Sequence, residues 1–148
     1  MFDFVKNLFR YKAKSLEEFV EFVKGERCKI VLVTPTQAAK NGAETACAGI
    51  IADFHYLLKL TARTPSNRKV LYQERLFQRF GSDYGVADAK ERQNAAIRLF
   101  LIGEQRTQDL RTKLPGVQID LIGPNDRPMD GEMFTKLHED ATACGVSV

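Results

Sequence analysis

The sequence predicts an α/β fold: a small, mainly parallel sheet of three or four strands with helices on both faces, in a three-layer, Rossmann-like arrangement. Three observations carry that reading. Residues 29–34, Lys-Ile-Val-Leu-Val-Thr, are an apolar run of strand length, and continuous apolar character marks an interior strand covered on both faces. Residues 43–63 can wind into a long helix, mostly apolar, with a narrow polar stripe of Glu44, His55, Lys59 and Arg63. Residues 99–103 and 119–123 both end in Leu-Ile-Gly, and the segment between them suits a strand, a short helix and a parallel strand.

Taken in order, residues 2–11 place Phe2, Val5, Leu8 and Phe9 on one side of a short helix and Lys6, Asn7 and Arg10 on the other. With Lys12 and Lys14 this makes a basic amphipathic arm at 1–14, for which packing on a protein surface is favoured over contact with a membrane surface. Ser15-Leu-Glu-Glu18 is a capping box, so a helix starts at Leu16 and buries Leu16, Phe19, Val20 and Val23 before Gly25 stops it. The strand at 29–33 and the helix at 43–63 follow. After the break Thr64-Pro-Ser-Asn67, a second helix to about residue 80 buries Val70, Tyr72, Leu76, Phe77 and Phe80. Residues 97–102 read as a strand or as the middle of one helix over 88–114. The polar run 104–109, which would spoil a buried helical face, favours the strand. Residues 117–122 alternate, so that strand has one wet face and lies towards an edge. Asp130 caps a last helix with Met133, Phe134, Leu137 and Ala141 inward; Gly145 ends it, and residues 146–148 can add a short strand. No composition break divides the 148 residues, so a single domain over 1–148 is expected.

Bulk composition narrows the function classes. A hydrophobic fraction of 44% with 28% charged residues is that of a soluble globular protein. Net charge is only +3, too small to imply nucleic acid without clustering. Three widely spaced cysteines, Cys28, Cys47 and Cys144, supply neither a disulfide framework nor a structural zinc site, and a reducing cytoplasmic location is expected. Asp3, Lys6 and Arg10 interrupt any signal-peptide pattern, and Glu44, Asp53, His55 and Lys59 interrupt the most apolar segment as a membrane span.

In an open parallel sheet, ligands bind beyond the carboxyl ends of the strands. Here those ends offer Thr34, Thr36 and Gln37, then Glu104, then Asn125, Asp126 and Arg127: hydroxyls, amides, carboxylates and a guanidinium suited to a polar ligand. The loop before residue 43 also precedes a helix N-terminus, which attracts anions, but it lacks the glycines of a dinucleotide fingerprint and the Gly-Lys-Ser/Thr of a P-loop. His138-Glu-Asp140 lacks a second ligand one helical turn on, so no metal site is expected; a solvated stretch is. The bases Arg63, Arg68, Lys69, Arg75 and Arg79 run beside Tyr72, Phe77 and Phe80, a mix seen in single-strand binders, although those rings fall at core spacing.

Asp53 falls among Ala46, Gly49, Ile50, Leu57 and Leu60 on the helical wheel. A buried acid there must be paired, with Arg98 as first partner, or become neutral. The function these features favour is binding: a cytoplasmic ligand-sensing or protein-interaction module, its partner a protein or a small polar or anionic ligand, with no cofactor. Two alternatives stay open. One is an enzyme acting on a nucleotide or other phosphate compound at the strand ends; the other is nucleic-acid binding through the basic helix 63–79.

Overall fold

The computed structural model describes residues 10–39, 52–81 and 86–148. Local signals set the two shorter helices. Helix α1 (Leu16–Gly25) begins where the Ser15 hydroxyl oxygen accepts the Glu18 N–H at 3.1 Å. The Glu18 carboxylate completes the cap by accepting the Lys14 N–H at 2.9 Å and the Tyr11 hydroxyl. Helix α3 (Gly131–Cys144) begins where Asp130 accepts the Met133 N–H at 3.0 Å, and ends at Gly145 with φ of 66°. A left-handed terminal residue of this kind is what glycine supplies without strain. Residues 146–148 form no strand.

Between them runs a five-stranded mixed sheet of β1 (Arg10–Lys12), β2 (Ile30–Ala39), β3 (Ala52–Arg63), β4 (Lys69–Gly81) and β5 (Gln118–Leu121), in the order β1-β4-β3-β2-β5. Strands β2, β3 and β4 form an antiparallel meander, while β1 pairs parallel with β4 and β5 parallel with β2. The sheet is therefore mixed, not mainly parallel as expected. Pro35 fits inside β2 because odd-numbered β2 residues direct their backbone groups towards β5: Lys29 and Val33 carbonyls accept from Gln118 and Ile122, both at 2.9 Å. Strand β5 pairs only with residues 30–33, so the N–H that proline lacks would have had no partner in it.

Three expected elements change type. Residues 52–63 are strand β3 rather than the end of a helix over 43–63; residues 40–51 lie outside the described residues. Phe54, Tyr56, Leu58, Leu60 and Ala62 alternate into the core, the period of a strand, while Leu57 on the other face disguised it. The segment expected as the second helix is β4. A register shift opposite Tyr56 and Leu57 leaves Leu76 as an extra residue, so the inward positions pass from Val70, Tyr72 and Glu74 to Phe77 and Arg79. A bulge of this kind breaks alternation and imitates helical spacing.

Residues 97–102 lie inside helix α2 (Val86–Lys113), the reading that the polar run had disfavoured. The helix carries apolar residues on two sides: Ala95, Leu99 and Leu110 pack on the sheet, whereas Ile97 and Leu101 pack on Leu137 and Ala141 of α3. Two buried faces filled the segment with apolar residues, which read as a strand. Arg98 consequently lies over the Phe77 ring, 5.0 Å from its centroid.

Among the described residues the helices occupy one side of the sheet. Val31, Val33, Tyr56, Leu58, Leu60 and Val70 share a face with Phe19, Val20 and Val23 of α1 and with Leu99 and Leu110 of α2 in one core. A Cβ on Gly103 would stand 3.0 Å from Leu121 and 3.6 Å from Leu58, which shows how closely α2 approaches the sheet there. The expected second helical layer is not seen among the described elements. Strand β2 is interior, as expected, yet only one of its faces is sealed: Val31 and Val33 are fully buried, whereas Ile30 is 46% exposed. Strand β5 lies at the edge with Ile119 and Leu121 inward and Gln118 in solvent, as alternation implied. Of the amphipathic arm, residues 1–9 lie outside the described residues and Arg10–Lys12 form β1.

Candidate functional site

In an antiparallel ladder, directly opposed residues point to the same face, and register therefore reads out the open side of the sheet. From β3 and β4 it carries Arg63 opposite Lys69, Thr61 opposite Leu71, Lys59 opposite Gln73 and Leu57 opposite Arg75. Strand β2 adds Ile30, Leu32, Thr34 and Thr36, and β1 adds Lys12 beside Leu71. The bases at 63, 69 and 75, expected on a helix, instead share this sheet face. Arg79 lies on the other side, bonded to Glu91 at 3.2 Å, and Arg68 lies over the rings of Tyr11 and Phe22 at 5.6 and 5.2 Å.

Where β3 turns into β4, the open face deepens into a groove of about 510 Å³. Ile30, Leu32 and Thr61 form its floor, and Thr64 and Pro65 of the turn close one end. Its rim is Arg27, Lys29, Arg63 and Lys69, four cations and no carboxylate among the described lining residues. Local structure fixes this rim. Arg27 takes the left-handed conformation, φ 55°, in the tight passage from α1 to β2. The turn is held by the Thr64 hydroxyl, which accepts the Arg68 N–H at 2.9 Å, while Arg63 donates to the Asn67 side chain at 2.9 Å. Arg63 and Lys69 are directly opposed like charges, a pairing that costs stability in a sheet. The nearest acid on this face by register is Asp120, across from Leu32, whose carboxylate accepts from Gln118 at 2.8 Å.

The residues expected at strand ends are distributed over several places. Thr34 and Thr36 lie on the open face of β2, and Gln37, opposite Tyr56, has the other parity at the exposed end of that strand. Glu104 is not at a strand exit, because residues 97–103 are helical. It sits on α2 on the other side of the sheet, 2.7 Å from Nε2 of His138 on α3. Asn125, Asp126 and Arg127 form the turn after β5, where the Asn125 side chain accepts the Arg127 N–H at 3.3 Å and Asp126 has φ 61°. The sheet thus separates Glu104 from Thr34 and Thr36. Asp53 belongs to β3, not to a helix, and its side chain lies outside the described ones.

His138, expected in solvent, is exposed and bridges to Glu104, joining α3 to α2. Among the described residues no group of His, Cys, Asp and Glu is placed to hold a metal ion, and no helix is long and apolar enough to cross a membrane. Cys28 is buried in the core, where desolvation first, and the nearby Glu26 charge second, push its thiol pKa up, so it is held as the neutral thiol. Sequence reasoning missed the groove because its cations come from a loop, a hairpin and two strands. Only the β3–β4 register brings Arg63 to Lys69. No family model, curated protein or solved structure matches this chain.

Proposed function

We propose that this protein is a cytoplasmic ligand-sensing module, and that its ligand is a small anion with an apolar body, held in the groove at the β3–β4 turn. One observation carries the reading: four cations surround an apolar floor, two of them opposed across the ladder. An anion between Arg63 and Lys69 meets positive charge from both strands, while Ile30 and Leu32 take the apolar part. The volume lies within the range of small-molecule sites. Thr34 and Thr36 continue the same face on β2 and are the strand-end residues best placed to extend the site. The free thiols Cys28 and Cys144 suit a reducing compartment.

Thermal-shift measurements with decanoate, adenosine monophosphate and pyrophosphate, beside the neutral decanol and adenosine, test this reading. A ligand at about one hundred times its Kd stabilises by about 2.7 kcal/mol. Decanoate or the nucleotide should raise the melting temperature, the neutral compounds should not, and Arg63→Glu should remove the response. Equal shifts with neutral compounds, or no shift with any anion, reject the groove as the site. Release of phosphate from the nucleotide during incubation would favour the enzyme alternative.

A further inference from the structure

Beyond the groove the open face continues up β3 and β4 with a different set of residues, and these are free of the groove's lining. Leu71, Lys59 and then Leu57 with Arg75 follow one another along the ladder, flanked by Lys12 on β1. Leu57 and Leu71 are half-buried with no described helix over them, although the opposite face of the same strands is sealed by α1 and α2. A sheet in a layered fold is ordinarily covered on its apolar faces. Here the side that no described helix covers mixes leucines with Lys12, Lys59 and Arg75, and no described carboxylate pairs with Lys59 or Arg75.

From this juxtaposition we infer that the upper open face docks an acidic amphipathic helix of a partner protein. The match is in both spacing and charge. Leu71 and Leu57 are two rows apart on adjacent strands, about 13 Å along the sheet, and three turns of helix rise about 16 Å. A leucine stripe at positions i, i+4, i+7 and i+11 of the incoming helix therefore spans both. Glutamates on the flanks of that stripe meet Lys12 with Arg75 on one side and Lys59 on the other. A second copy of this chain is disfavoured as occupant, because a two-fold contact would set the same cations against themselves. A single-stranded nucleic acid is disfavoured too. The rings of Phe54, Tyr56, Tyr72 and Phe77 all belong to the covered face, and among the described side chains the one aromatic ring that register places on the open face is the His55 imidazole, a single ring where stacking of successive bases needs several.

Fluorescence anisotropy with a synthetic helix of about 18 residues, leucine-striped and glutamate-flanked, tests the inference. Its scrambled isomer, its lysine-flanked counterpart and a deoxythymidine oligonucleotide serve as comparisons. The glutamate-flanked helix should bind, more tightly at low salt, and the scrambled isomer should not. Lys59→Glu with Arg75→Glu should weaken binding by about ten-fold or more and transfer preference to the lysine-flanked helix. Lys24→Glu with Lys136→Glu, on exposed helix surfaces, should leave it unchanged, as should Arg63→Glu, which separates this surface from the groove. Circular dichroism of each variant establishes that it is folded. Equal binding of the scrambled isomer, preference for the oligonucleotide, or binding indifferent to the Lys59/Arg75 reversal would each overturn the inference.

Discussion

The two faces of one sheet are made from alternate residues of the same strands, yet they treat charge in opposite ways. On the covered face Arg106, Arg79 and Arg98 each have a partner. Arg106 of α2 donates to Glu74 of β4, with one contact at 2.9 Å; Arg79 bonds Glu91; Arg98 lies over Phe77. On the open face Arg63 is set against Lys69, and Lys59 and Arg75 stand diagonal to one another in the ladder. Covered charges are set against acids and rings; open ones are grouped with like charges along the ladder, an arrangement that selection tolerates where it serves something other than folding.

The largest expected effect comes from adjacent residues of β3. Leu58 is fully buried against α2, so Leu58→Ala should cost about 2–5 kcal/mol of unfolding free energy. Leu57 points the other way, and Leu57→Ala should cost less than about 1 kcal/mol. Urea denaturation of both variants measures the contrast. Equal losses would mean that something covers the open face as thoroughly as α2 covers the other.

A smaller effect is expected at Glu74. Its carboxylate and the Arg106 guanidinium are about three-quarters buried, and Arg106 has a second acid, Asp109, at 3.7 Å. Glu74→Gln should therefore cost about 1 kcal/mol rather than the larger penalty of a charge left alone. The loss should be largely erased when Arg106→Gln is added, and a double-mutant cycle reads that coupling. Additive losses would show that the pair contributes only as two separate surface charges.

Legibility in the sequence divides along the same lines as the energetics. The ends of α1 and α3 are set within a few residues, by Ser15 with Glu18 and by Asp130 with Gly145, and they could be placed from the sequence alone. The edge position of β5 was legible from Gln118 and Asp120 alternating with Ile119 and Leu121. Strand β3 was not, since Leu57 interrupts the alternation of Phe54, Tyr56, Leu58 and Leu60 with an apolar residue of the open face. Helix α2 was hidden for a related reason: it is buried on two sides, and Ile97 and Leu101 belong to a second interface with α3. The candidate site depends on these same pairings. Arg63, Lys69 and Arg75 were noticed as part of a basic region and Lys59 as part of a polar helical stripe, but whether they converge depends on register, which sequence spacing does not encode.

The smallest effect is the sharpest probe of the two-face comparison. If the open-face cations repel, neutralising two of them should stabilise the fold slightly, the reverse of what Glu74→Gln does on the covered side. Lys59 and Arg75 are diagonal neighbours, about 7–8 Å apart at the backbone. At 0.01 M salt the Debye length is about 30 Å, so their repulsion is felt in full; at 1 M it is about 3 Å and the repulsion is screened. The parent protein should therefore gain more stability as salt rises than Lys59→Gln with Arg75→Gln does, since the general effect of salt on apolar burial is common to both, while Lys24→Gln with Lys136→Gln, on exposed helix surfaces, should keep the parent's salt dependence. Lys59→Gln with Arg75→Gln should raise the low-salt urea midpoint, by an amount equivalent to about 0.5 kcal/mol or less, and flatten the salt dependence. Urea, being uncharged, leaves the screening under the control of the added salt. A double variant less stable than the parent at low salt would show that Lys59 and Arg75 are held by favourable contacts, and the two faces would then not differ in how they use charge.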